Sequence, residues 1–266
     1  MNIKFEKNTF QKRMKSMLAV DFRRMFTTPL YYIMVGISLV MPILSLVMTT
    51  MMDGSVTTDP QTGKETVMEG FKNVWQIIGT SSGSSSMSMD ITSMCTINMM
   101  FFIIAIFVCI FVTDDFRSGY SKNLFTVRAN KLDYVISKLV VGFVAGASML
   151  IAFFIGSMLG GVFAGLPFEL VDVTPLNIVM SMLAKIFIVS IFVAIYLLAS
   201  VVAKNRLWLS LILSFGIGML MFTMIPIITP LNSTIINVIL CFVGSAIFSI
   251  GIGIGSYYIL KKSSLV

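Results

Sequence analysis

Six long apolar runs divide this chain, at about 29–52, 94–113, 135–165, 186–203, 207–228 and 235–260, and almost every ionisable residue falls in the gaps between them. Most of the runs reach the ~20 residues that, at about 1.5 Å each, cross a hydrocarbon layer ~30 Å thick. Backbone polar groups inside a bilayer are satisfied only in helices or closed barrels, and these runs lack the period-two alternation of barrel strands. The expected class is therefore all-α: a polytopic membrane protein of six spans in a single domain covering residues 1–266. Composition points the same way. With 57% hydrophobic and 12% charged residues, the chain cannot coat a soluble globule, whose surface needs about 25% charged residues. The longest polar stretch, 53–93, carries few large apolar residues beyond Phe71, Val74, Trp75, Ile77 and Ile78, too few for a core of its own. It ends in a Ser/Gly run at 81–86 that reads as a mobile connector.

Lysine and arginine near span ends stay on the cytoplasmic side, which orients the helices. Sixteen of the nineteen basic residues fall on one face: the N-terminal arm, the connection between the second and third spans, the Lys204/Arg206 turn and the Lys261/Lys262 end. Both termini are expected in the cytoplasm. The net charge of +7 then faces anionic lipid headgroups and calls for no nucleic acid. Cys95, Cys109 and Cys241, an odd set in or near apolar spans, argue against a disulfide framework or a metal site.

Absences narrow the chemistry. There is no histidine, so His-based zinc sites, Ser-His and Cys-His dyads and His-ligated haem are excluded. The spans hold no acidic residue deep in the bilayer for a proton or sodium relay, and no G-x-x-x-x-G-K-[ST] phosphate loop exists. Work against a gradient must draw on another chain, with ATP and magnesium held there; no catalytic, cofactor or metal residue is expected here.

Several segments carry local signals. Phe10, Met14, Met17, Leu18, Phe22, Met25 and Phe26 recur at helical spacing, with Arg23 and Arg24 among the basic residues beside them. A basic amphipathic helix in the membrane interface follows, either as an anchor or as an elbow with a mechanical role. Phe116, Tyr120, Leu124 and Phe125 form a second stripe, a short helix along the membrane surface that could show side chains to a cytoplasmic partner. Asn130 and Asp133 read as a variant capping box opening the third span. Gly142/Gly146, Gly156/Gly160 and Gly161/Gly165 serve either packing within one protomer or a dimer seam. Thr174 to Lys185 reads as a separate outer helix with Lys185 snorkelling to the interface; a mid-membrane Lys185 would instead imply a function. Asn98 and Asn237 serve either as interhelical hydrogen-bonders or along a translocation path. The uncharged, proline-broken link at 226–234 either dips back under protein cover or forms a short exposed turn.

The connection from Asp114-Asp115 through Gly119, Lys122-Asn123-Leu124-Phe125 and Arg128 to Lys131, and on to Lys138, resembles the corresponding loop of type-2 ABC exporter permeases. The elbow from Asp21 to Tyr31, the six-span layout and the cytoplasmic termini extend the resemblance over nearly the whole chain. Asp115 stands where the family more often has Glu, and Lys131 where it has Arg. The resemblance implies an ATPase-coupling interface at Asp115, Phe116, Gly119, Tyr120, Leu124 and Phe125, and an elbow helix using Met14, Leu18, Phe22, Arg23 and Arg24. It also implies a separate cytoplasmic ABC ATPase and a second copy or sister permease in a bacterial cell membrane. The apolar, Phe- and Met-rich spans are similar to small Gram-positive members that export amphipathic peptides, including bacteriocin-immunity exporters. The rival expectation is a non-transport sensor or assembly subunit of the same topology.

Overall fold

The computed structural model describes residues 10–58, 65–67, 69–79, 95–127, 130–169, 173–222 and 224–262. The Ser/Gly connector at 81–86 lies outside them. Helix α1 (Phe10–Thr27) leads to α2 (Pro29–Met51), which opens on Pro29, where a residue without an N–H fits the first turn. A small antiparallel hairpin follows, β1 (Val56–Thr58) on β2 (Glu65–Val67), with Thr57 opposite Thr66. Short 3-10 turns at Val74–Ile77 and Ile97–Met99 precede α3 (Met100–Arg117) and the short α4 (Tyr120–Val127). Then come α5 (Lys131–Ala164), α6 (Pro175–Ala203), α7 (Leu207–Phe222), the four-residue α8 (Ile225–Ile228) and α9 (Ile235–Lys262).

Five helical stretches among the described residues are long and apolar enough to cross a membrane: Pro29–Met51, Ile97–Arg117, Lys131–Ala164, Pro175–Ala203 and Ile235–Lys262. The expected fifth span is divided instead into α7, whose 16 residues reach only about 24 Å, and α8 beyond it. The chain is an all-α polytopic membrane protein. α3, α5 and α6 form its centre, where Phe101, Phe107, Phe153, Val189 and Tyr196 are sealed. α2 and α9 flank them with broadly exposed apolar faces, Ile236, Leu240, Ile247 and Ile250 among them, which suit lipid tails.

Three expectations are corrected or settled here. All the named third-span glycines except Gly165 pack within the protomer: a Cβ on Gly156 would stand 2.1 Å from the Leu39 carbonyl oxygen of α2, and one on Gly146 would meet Val189 at 2.5 Å. The loop after α2 is more than a connector, because Phe71, Val74, Trp75, Ile77 and Ile78 are all buried and the Trp75 indole N–H donates to the Phe168 carbonyl. These side chains join the core that the spans already make. Residues 175–203 are one unbroken helix, so no separate outer helix ends at Lys185. That residue is 1% exposed inside the bundle and does not snorkel to an interface.

Candidate functional site

Helix α1 buries one face, Met17, Asp21 and Met25, spaced four residues apart. Two of these suit an apolar contact. Asp21 does not, because a carboxylate taken from water needs compensation. It is compensated twice: Oδ2 accepts from Ser137 Oγ at 2.6 Å and Oδ1 accepts from Lys138 Nζ at 2.9 Å, both on the second turn of α5. Lys138 Nζ also lies 2.7 Å from Oδ2 of Asp115, near the end of α3. Arg24 Nη1 is 2.6 Å from Asp115 Oδ1 and 3.8 Å from Asp21 Oδ1, which closes the circuit. Four charges of alternating sign thus form a ring drawn from α1, α3 and α5. The side chains of Asp21, Asp115 and Lys138 are fully enclosed, and that of Arg24 is 28% exposed.

Aromatic groups line this ring. The Tyr134 hydroxyl donates to Asp115 Oδ2 at 3.1 Å, the Lys138 ammonium lies 4.2 Å from the Phe111 ring centre, and the Arg24 guanidinium lies 4.4 Å from that of Tyr120. Cations above ring faces gain from the ring quadrupole, and more so when desolvated. Burial lowers the pKa of Arg24, but Asp115 and then Asp21 more than offset it, so the guanidinium is held charged more firmly than usual. Burial, with the charge of Asp21, pushes the Tyr120 phenol up and keeps it neutral. Removing one member of such a buried set leaves an uncompensated charge, at a cost of about 3–5 kcal/mol. The arrangement ties α1, α3 and α5 together at this end of the molecule, with α4 touching it through Tyr120.

The sequence-named residues divide here. Arg24, Asp115 and Tyr120 come together in the ring. Met14, Leu18 and Phe22 are half-buried on α1 and Arg23 is exposed, while Asp114 faces solvent. The second apolar stripe turns inward: Phe116 is buried, Phe116 and Phe125 both meet Tyr134 edge-on, and Leu124 packs on the core. Residues displayed around α4 are instead Arg117, Ser118, Lys122, Asn123 and Thr126. Gly119 makes the turn between α3 and α4 at φ +76°, a left-handed backbone that favours glycine. The expected capping box forms by half. Asn130 accepts from the Leu132 N–H, but Asp133 pairs with Arg13 at 3.2 Å, a second tie between α1 and α5. Lys131 donates to the Leu260 carbonyl, which fixes the end of α9 to the start of α5.

Asp21, Ser137, Lys138 and Tyr134 carried no site role in the sequence reading. One signal was available: Asp21 is the lone acid within a basic amphipathic helix and falls in register with its apolar face. At the far end of the bundle, Asn98 is buried in the turn before α3 and its Oδ1 lacks a hydrogen-bond partner, whereas Asn237 is half-buried near the start of α9. Neither reaches the ring, which lies about 25 Å away along α3 from Asn98. A second buried cation lies toward that far end. Lys185 Nζ donates to both the carbonyl oxygen and Oγ1 of Thr229, each at 2.7 Å. Thr229, Leu231 and Ser233 are buried while Ile227, Ile228, Asn232 and Thr234 are exposed, so protein covers the proline-broken link only in part.

A family model described as ABC-2 family transporter protein matches residues 22–221, most of the chain and, of the ring, Arg24, Asp115 and Lys138. No curated protein and no solved structure is matched.

Proposed function

Because the chain belongs to the ABC-2 family of transporter proteins, we propose that it is an exporting permease that moves amphipathic peptides or similar lipophilic compounds out of the cell or its membrane. Membership makes it a multi-pass membrane permease of an ABC transporter, and it implies a cytoplasmic ABC ATPase as partner. The observation that carries the mechanical part is the closed ring of Asp21, Lys138, Asp115 and Arg24. A displacement imposed on α4 reaches α1, α3 and α5 together through Tyr120 and the Phe125–Tyr134 contact. In this reading the ATPase grips the displayed side of α4, at Lys122, Asn123 and Thr126, while Phe116, Leu124 and Phe125 bind α4 to the permease. The basic ring end lies in the cytoplasm by the charge bias of the sequence. A second permease copy or a sister permease completes the path, as the exposed apolar faces of α2 and α9 allow.

Reconstitution with the ATPase in vesicles tests this. Alone the chain hydrolyses no ATP; with its partner, amphipathic peptides raise turnover because a ligand that favours the transport-competent state shifts the population toward it. A correctly assembled complex that turns over ATP while moving neither peptides nor lipophilic compounds overturns export and favours a sensory or assembly role. Orientation is tested separately in a cysteine-free background. A cysteine at Ser84 should react with an impermeant thiol reagent on intact cells, and one at Lys122 should not.

A further inference from the structure

Lys185 presents an unusual combination: a fully enclosed ammonium with neutral oxygens around it and no carboxylate pairing with it among the described residues. It sits ten residues inside α6, about 15 Å from that helix's far-end start. Two of its three N–H groups are taken by Thr229, whose hydroxyl also donates to the Ile225 carbonyl and whose backbone ends α8. Around the ammonium four segments converge. α6 carries it, and the 229–231 link caps it. Gly79 approaches so closely that a Cβ there would lie 3.9 Å from Nζ, and α9 faces it with the Cys241 thiol. Among the described residues, that thiol is the one ionisable group turned toward Lys185 from the packed elements.

Holding Thr229 does not require a charge. A neutral amide or hydroxyl donor would serve the same carbonyl without the desolvation that an ammonium carries, and a charge held in a bilayer without a counter-ion marks a functional position. A second observation points to an incoming group. Ser181, four residues toward the far end on the same face of α6, has a hydroxyl that is buried and lacks any hydrogen-bond partner. One unused N–H on Lys185 and a free hydroxyl one helical turn away leave two donors on one face of α6, the kind of pair that an anionic group can answer.

We propose that Lys185 and Ser181 form a binding site for an oxyanion of the transported molecule, a carboxylate or a phosphate, with Thr229 holding the ammonium in place while the site is empty. This rests on the export reading and adds a substrate class to it: amphipathic molecules whose polar end is negative. The enclosure of Lys185 requires the 225–231 link to move aside for the anion to enter. Link position and substrate occupancy are thereby coupled, since the site can satisfy the third N–H only when the cap has shifted.

Binding and transport separate the two claims. An amphipathic peptide bearing a free C-terminal carboxylate and the same peptide as its C-terminal amide are titrated against the purified permease in phosphatidylcholine nanodiscs; phosphatidylglycerol nanodiscs supply the phosphate arm as a competitor. Wild type should bind the carboxylate form about tenfold more tightly than the amide, the scale of one charge-assisted contact. Loss of that preference only when phosphatidylglycerol is present identifies lipid phosphate as the stronger ligand of the same site. Lys185→Met should abolish the preference, Lys185→Arg should retain most of it, and Ser181→Ala should reduce it about threefold while leaving assembly intact. Equal binding of the two peptides by wild type, together with no competition by phosphatidylglycerol, overturns the site, as does a preference that survives Lys185→Met. Either result leaves export standing if the assembled complex still transports. Conversely, a carboxylate preference lost in Lys185→Met upholds the site even where transport fails.

Discussion

Among the described residues two lysines are sealed inside this bundle, and they are held in opposite ways. Lys138, on the second turn of α5, lies between two carboxylates under the face of Phe111, with every charge around it answered by another. Lys185, in the far half of α6, donates to two oxygens of one threonine, with no carboxylate against it among the described residues. The first environment is complete and stabilises the joining of three helices. The second is incomplete: it holds the chain together less strongly, and leaves a donor in reserve. Burial alone therefore says little about what a charged side chain does, and the deciding quantity is whether its partners balance it.

The contrast can be broken most decisively at Lys138. Changing Lys138→Met strands Asp21 and Asp115 side by side without their shared cation, and we expect a loss of about 3–5 kcal/mol, seen as a collapse of monodisperse protein on heating in detergent. A double variant that adds Asp21→Asn should recover part of that loss, because the remaining carboxylate still has Arg24. Stability equal to wild type in the single variant would show that the ring is not a structural tie. Tyr134→Phe is a milder probe. It removes one hydrogen bond to Asp115 while the ion pairs remain, for an expected cost of about 1–2 kcal/mol in the same thermal assay.

Lys185→Met should be milder again, below about 1 kcal/mol, since two hydrogen bonds are lost but the desolvation of an unbalanced charge is lost with them. A destabilisation as large as that at Lys138 would erase the distinction between the two sites. Alkali gives the smallest expected effect near neutrality. The pKa of Arg24 is raised in the fold, so its contribution is fully present below the ordinary arginine range and is lost only as pH climbs past the raised value. The Tyr120 phenol, also raised, behaves likewise from its ordinary value of 10 upward. Melting temperature should therefore be flat between about pH 7 and 9, with any loosening confined to stronger alkali; a ring-dependent drop within the flat window, absent from Lys138→Met/Asp21→Asn, would contradict this.

What the sequence determined by itself was the solvent and the class. Apolar runs of span length, and basic residues collected in alternate gaps, follow from the cost of bare backbone and charge in hydrocarbon, a cost set residue by residue and so readable from the order of residues. The amphipathic α1, the short α4 and the family-like motif from Asp114 to Lys138 were legible for the same local reason. Only the tertiary structure decided which polar groups meet. Asp21 and Ser137 are 116 residues apart, so no helical period relates them, and Asp21 reads as an interruption of an apolar face until α5 supplies its partners. The inward turn of Phe116, Leu124 and Phe125 was hidden too, because a stripe at helical spacing is the same whether it faces a partner or its own chain. Lys185 shows the limit most plainly. Its sequence neighbours suggested a helix end at an interface, and what keeps it inside an unbroken α6 is Thr229, 44 residues away, whose two oxygens take the place of water.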